Sequence, residues 1–313
     1  MEKKIWAQNI PCDEALIHRL QKPAGPVDVV LDTDTYNEID DQFALSYMIR
    51  NGDKLRVQAI YAAPFHNEKS VSPKDGMEKS FSEILTLLAL LGREDLNPCV
   101  FKGSETYLHD EETPVPSSAA RDLAERAMRY TPENPLYVIA IGAITNVASA
   151  ILMNPAIRER IVVVWLGGNA LHWPDNREFN LAQDVAAARI LFGCGVPLVQ
   201  LPCMGVVSSF TVSEPELRQY LLGKNALCDH LAQYAIEEGR RTASSGTWTR
   251  VIWDVTAVAW LLGEDFMADT LVHSPIPQYD YTWTPSATRH FIRYVYAIHR
   301  DRLLADLVHK LTE

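Results

Sequence analysis

From Val27 onward, short apolar runs alternate with longer stretches in which apolar residues recur every three or four positions. The runs at 27–31 (VDVVL), 56–63 (RVQAIYAA), 136–141 (LYVIAI), 161–166 (IVVVWL) and 197–201 (PLVQL) are short and rich in β-branched residues, so they predict buried strands. Helical spacing between them predicts helices near 40–51, 79–92, 118–129, 145–152 and 184–193. Strands alternating with helices predict an α/β fold, Rossmann-like, with a mainly parallel central sheet flanked by helices. After Val212 the pattern turns mostly helical, near 214–222, 225–239, 255–262 and 288–311, which predicts a helical C-terminal portion. No repeat, low-complexity stretch or Gly/Ser-rich linker divides the chain, so residues 1–313 are expected to form one domain, with 1–26 as an N-terminal extension.

Two segments break the rhythm: 64–78 and 103–117 are polar and Pro-bearing. As loops they would overhang the carboxyl edge of the sheet, where open α/β folds place their ligands. Composition narrows what those ligands are. A hydrophobic content of 47% suffices for a sizeable core, while a net charge of -11 offers no basic field for a phosphate backbone, so no nucleic acid polymer is expected as partner. Cys12, Cys99, Cys194, Cys203 and Cys228 are scattered and form no CxxC pair, against both a disulfide framework and a zinc site. The N-terminal segment carries Asp13 and Glu14 in place of an apolar signal core, and no run reaches the roughly 20 apolar residues of a membrane span. A cytoplasmic protein without membrane contact is expected.

The chemistry concentrates where the first strand ends. Asp32-Thr-Asp34-Thr-Tyr-Asn37-Glu38-Ile-Asp40-Asp41 places five acidic side chains within ten residues. Repulsion opposes burying such a cluster without a cation, and its hard oxygen donors suit Ca²⁺ or Mg²⁺. The plain alternative is that Asp40 and Asp41 cap the next helix and the rest is solvated. An EF-hand is excluded by register, because counting from Asp32 puts Asn37 at the glycine position and Phe43 at the terminal glutamate position. VVLDTDT is also similar to the first motif of the haloacid dehalogenase phosphatases, which would make Asp32 a phosphorylated nucleophile and Asp34 its acid/base. The later acidic pair that holds Mg²⁺ in that family is missing where the comparable strand ends as WLGGNAL.

Four later segments accompany the cluster: Ala140-Ile-Gly-Ala-Ile-Thr-Asn146, Leu166-Gly-Gly-Asn169, Glu178-Phe-Asn180 followed by Asp184, and Trp253-Asp254. Together they resemble, in order and at about its spacing over residues 27–262, the inosine-uridine family of nucleoside hydrolases. The resemblance implies Ca²⁺-dependent hydrolysis of the N-glycosidic bond of ribonucleosides. By position, Asp34 resembles the carboxylate that touches the metal and takes the proton of the attacking water. Asp41, Asp254 and the backbone carbonyl of Ile141 look like further calcium ligands. Asp40 resembles the ribose-binding carboxylate, joined by Asn37, Asn67, Glu178 and Asn180, while Asp32 looks like a support for the loop. His172 stands where many relatives have an asparagine near the ribose 5′-hydroxyl. The resemblance also implies a homodimer or homotetramer.

The assignment agrees with the chemistry, since breaking a C1′–N bond develops positive charge on the ribose and a basin of carboxylates stabilises it. Two departures matter. Five residues separate Asp34 from Asp40 where the family's common loop has three, so the loop must bulge, and Glu38 competes with Asp40 for the ribose place. The FALSY that follows favours Asp40-Asp41. Trp253 occupies the place of a histidine that protonates the departing base in many members; purine-specific members carry tryptophan there, stacked on the base, so purine nucleosides are expected to be favoured. Tyr107, His109 and Trp248 are candidates for the second stacking wall. The missing histidine acid also keeps open a nucleoside-binding protein without turnover.

Overall fold

The computed structural model describes residues 13–313 except residue 264, so Cys12 and the first part of the 1–26 extension lie outside the described residues. The rest of the extension is integrated into the fold. Its helix α1 (Asp13–Arg19) buries Leu16, and Leu20 follows into the same core.

The chain then builds β1 (Val27–Thr33), β2 (Leu55–Ala62), β3 (Val100–Lys102), β4 (Leu136–Ala140), β5 (Ile161–Leu166) and β6 (Leu198–Leu201). A small hairpin pairs β7 (Thr211–Ser213) with β8 (Thr249–Val251), and β9 (Met267–His273) precedes a second pair, β10 (Ile276–Pro277) and β11 (Trp283–Thr284), before β12 (Phe291–Ile298). One eight-stranded sheet runs in the order β3-β2-β1-β4-β5-β6-β12-β9, parallel throughout except for the antiparallel β12/β9 edge. Period-two alternation divides its central strands between two cores: Val29 and Leu31 face one cluster, Val30 the other. Covered on both faces, β4 and β5 are buried along their whole length, as their unbroken apolar runs require.

The helices are α2 (Ile39–Arg50), α3 (Pro73–Leu90), α4 (Ser118–Arg126), α5 (Thr145–Met153), α6 (Phe179–Gln183), α7 (Val185–Gly193), α8 (Glu214–Tyr220), α9 (Ala226–Thr242), α10 (Val255–Trp260) and α11 (Arg300–Thr312). None of the described helices is long and apolar enough to cross a membrane. α3 starts six residues before the expected 79, because the Ser72 hydroxyl accepts from the Asp75 amide and Pro73 presets the first turn. The expected helix over 288–311 is corrected: Phe291–Ile298 is a strand and only the remainder, α11, is helical. FIRYVYAI satisfies either period, and its β-branched and aromatic side chains pair between β6 and β9. β9 carried little apolar signal because most of its residues are only partly buried.

β1 lies between β2 and β4, so the strand order reverses there and a crevice opens at the carboxyl ends of β1 and β4. Gly103, just after β3, lets the chain pass beneath that edge. A β-carbon there would collide with the Ala62 carbonyl oxygen and the Asn146 amide. Gly103→Ala is expected to destabilise the fold by about 1–3 kcal/mol, read as a lower denaturation midpoint.

Candidate active site

β1 delivers Asp32-Thr33-Asp34 to the crevice, and the chain turns back through an Asn37 amide that donates to the Asp34 carbonyl at 2.7 Å. It enters α2 with Asp40 and Asp41 in the first turn, where carboxylates suit the helix dipole. α10 packs against α2 and carries Asp254 to the same point. One carboxylate oxygen from each of Asp40, Asp41 and Asp254 lies within 4.8 Å of the others. Asp41 is within hydrogen-bond reach of Asp34 as well as Asp254, and it accepts from Thr33 Oγ1 at 2.5 Å.

Electrostatically this arrangement is unfinished. Both oxygens of Asp34 and Oδ1 of Asp40 are buried without a hydrogen-bond partner. Burial, and then repulsion from neighbouring aspartates, pushes Asp34, Asp41 and Asp254 well above the usual carboxylate range. Asp40 is pushed up to about 7 by burial and Glu38, with Arg250 among the groups pulling it back. Buried carboxylates with orphaned oxygens are costly unless a cation compensates them, and an all-oxygen donor set fits a hard divalent ion. The closest trio includes Asp40, so it overlaps the expected metal set of Asp34, Asp41 and Asp254 without matching it.

The shift has a sign that melting can read. Asp40 holds its proton to about 7 when folded against 3.8 as a free group, so between those values the folded chain binds more protons than the unfolded one. Stability therefore falls as pH rises through that window. Without divalent ions the melting temperature is expected to drop by more than roughly 2 °C from pH 5 to 7.5, a drop that added Ca²⁺ flattens. A melting temperature that climbs with pH in the chelated protein would refute the charge-crowding argument.

The cluster forms the floor of a cavity of about 350 Å³. Ile141, Asn37, Asn67, Glu178, Asn180 and Trp253 line it with Asp34, Asp40, Asp41 and Asp254. Glu178 is locked by backbone amides of Gly168 (2.7 Å), Asn180 (2.8 Å) and Leu181 (2.9 Å). Asn180 Nδ2 ties the ends of β4 and β5 together through the carbonyls of Ile141 (3.2 Å) and Leu166 (3.1 Å). Ile141 itself lines the cavity, and its carbonyl oxygen keeps a second lone pair beyond the bond from Asn180. Asn67 donates to Asn37 Oδ1 at 2.7 Å, fixing both amides.

His172 is the exception. A turn closed by the Trp173 amide on the Ala170 carbonyl, at 2.8 Å, leaves it exposed and outside the cavity lining. Asn169, the last residue of the Leu166-Gly-Gly-Asn169 motif, lines the cavity instead, held by the Met204 amide at 3.2 Å and the Asp175 carbonyl at 3.1 Å. Tyr107, His109 and Trp248 do not line it either: the Tyr107 hydroxyl binds Gln183, His109 is exposed, and Trp248 sits against Gly239. Phe179 is the second aromatic residue in the lining, and its position between Glu178 and Asn180 was the available signal. Cys203 and Met204 also line the cavity, just beyond β6, with nothing in their residue type to announce it.

Residues 29–289 match the family model described as inosine-uridine preferring nucleoside hydrolase. The chain belongs to this family. Pyrimidine-specific ribonucleoside hydrolase RihA of Citrobacter koseri is 28% identical over 174 residues, 47% of this chain and 55% of that protein, so this match spans little more than half of that relative's length. RihA of Salmonella arizonae is 23% identical over 237 residues, covering 67% of this chain and 76% of that protein. Among solved structures, a purine-preferring ribonucleoside hydrolase from Gardnerella vaginalis superimposes with TM-score 0.76 and 19% identity over 91% of this chain and 98% of that one. The plant nucleoside hydrolase PpNRh1 gives 0.71 and 18%, covering 92% and 99%. At these identities the structures show a shared fold.

In this nucleoside hydrolase family member Asp32 is fully buried, accepts from Asn146 Nδ2 at 2.8 Å and does not line the cavity. It cannot reach a substrate as a nucleophile, which removes the phosphatase reading. The long loop after Asp34 is gripped from outside. Lys69 donates to the Asn37 carbonyl at 2.8 Å and pairs with Glu238 at 3.0 Å, and Arg250 pairs with Glu38 at 2.9 Å. Glu38 is thus neutralised by a cation, whereas Asp40 keeps an unpartnered oxygen.

Proposed function

We propose that this chain is a Ca²⁺-dependent N-glycosidase that hydrolyses ribonucleosides to free base and ribose, with purine nucleosides favoured. The observation that carries this reading is the buried carboxylate cluster with orphaned oxygens, at the switch point of a nucleoside hydrolase sheet. Asp34, Asp41, Asp254 and the Ile141 carbonyl are the groups that would hold the cation. When bound, it supplies a positive field that orients water and sugar diol and eases deprotonation of the water. Asp34 takes that water's proton, both of its oxygens being uncommitted. Asp40 takes the ribose hydroxyls in preference to Glu38, which Arg250 already occupies, and Asn37, Asn67, Glu178 and Asn180 complete the sugar site. The same carboxylates stabilise the cationic ring of the transition state. His172, exposed outside the cavity, is left without a ribose contact. The family resemblance extends the reading to a cytoplasmic homodimer or homotetramer.

Trp253 and Phe179 give two aromatic surfaces for the base, which supports the purine preference. Release of base from inosine, guanosine, adenosine, uridine and cytidine, with and without a chelator, tests the reading. Cleavage lost on chelation and restored by Ca²⁺ is expected. Trp253→Ala is expected to lower purine kcat/KM by about 10- to 100-fold while sparing uridine. Equal losses on inosine and uridine would contradict the stacking role. Nucleoside affinity without any product would make the protein a binder.

A further inference from the structure

We propose that the preferred substrates are N-ribosides whose base already carries a positive charge, N7-alkylated purine ribosides above all; this rests on the hydrolase reading and narrows its substrate class. When a neutral nucleoside is cleaved, the C1′–N electron pair leaves on the base as an anion, so the departing nitrogen needs a proton donor. Among the described residues lining the cavity there is no histidine, lysine, arginine, tyrosine, serine or threonine.

The remaining lining groups do not supply the proton. Asp34, Asp40, Asp41 and Asp254 crowd together at the floor, and Glu178 is committed as an acceptor to three backbone amides. Cys203 is a buried thiol whose acidity is suppressed by burial and by Glu178. The neighbouring cations are spent on the loop wall: Lys69 on the Asn37 carbonyl and Glu238, Arg250 on Glu38 and Glu238. Tyr107 gives its hydroxyl to Gln183.

What the cavity offers is affinity for a cation. Glu68 lines it in addition to the floor carboxylates, and Trp253 and Phe179 present aromatic surfaces that attract positive charge, with Met204 beside them. The step then balances without an acid. The water oxygen bonds to C1′, the C1′–N bond breaks, its electron pair neutralises the cationic base, and the released proton goes to Asp34.

Base release from 7-methylguanosine, guanosine, ribosylpyridinium and uridine by the Ca²⁺-loaded protein decides the matter, each rate taken after subtracting its spontaneous hydrolysis. The expected result is a kcat/KM about 100-fold higher for 7-methylguanosine than for guanosine, which is the share of a missing acid. Trp253→Leu is expected to lower the cationic substrates by about 10-fold, the loss of one cation–π contact. Equal kcat/KM values for 7-methylguanosine and guanosine would overturn the proposal and leave the hydrolase reading standing. So would a His66→Ala variant that loses guanosine but keeps 7-methylguanosine, because it would reveal a proton donor beyond the lining. No base released from any of the four would sink the hydrolase reading itself.

Discussion

Asp34→Asn is expected to lower kcat on nucleosides by about 10³-fold and, in the same protein, to raise the melting temperature measured in chelator. The first effect follows from removing the acceptor of the water proton, a role that general base catalysis values at roughly 10²- to 10⁴-fold. The second follows from the same burial that makes Asp34 useful. Its two carboxylate oxygens have no partner, and the neighbouring Asp41 and Asp40 push its proton affinity up. An amide of equal size removes the cost of burying a charge there, or of taking up a proton to avoid it, and brings a donor toward Asp41. Activity and cation-free stability therefore move in opposite directions, as at other strained sites. A variant that loses activity through misfolding would lose stability too, so a melting curve run beside the assay separates the explanations.

Asp254→Ala is expected to have an effect of similar size by a different route. α10 brings Asp254 to Asp40 and Asp41 from 213 residues along the chain, and the trio is the closest set of potential ligands among the described residues. Without it the cation loses one of its oxygens. The wild-type chain is expected to gain about 2.7 kcal/mol of stability at a Ca²⁺ concentration 100 times the dissociation constant. In Asp254→Ala that gain should disappear at the same concentration, with nucleoside cleavage at background. Retention of the full Ca²⁺-induced shift would show that Asp254 does not serve the cation.

Which parts of this were legible depended on how local their cause is. β5 is an uninterrupted β-branched run, and its boundaries coincide with the expected 161–166. Phe291–Ile298 failed because its apolar positions satisfy a helix as well as a strand, and only pairing with β6 and β9 decides between them. In the site, acidic and amide residues within motifs could be found, since few other roles gather such side chains after strands. The grip of Lys69 and Arg250 on the loop joins elements far apart in sequence, so no spacing reveals it. Met204 and Cys203 are apolar residues that become functional only by standing at the end of β6. His172 lies exposed beyond the lining while Asn169 stands in it, an arrangement of the loop, closed by the Trp173 amide on the Ala170 carbonyl, that residue spacing alone does not reveal.

Calorimetric titration of the metal-stripped protein with Ca²⁺ near pH 6.5, in buffers of different ionisation heat, bears most directly on the convergent carboxylates. The expected result is one ion per chain with protons released on binding, because Asp40 holds its proton to about 7 and its neighbours are likewise pushed up by burial and mutual repulsion until a cation arrives. Both heat and proton release should be lost in Asp41→Ala. Binding that releases no protons, or that survives Asp41→Ala unchanged, would contradict a cation held at this cluster.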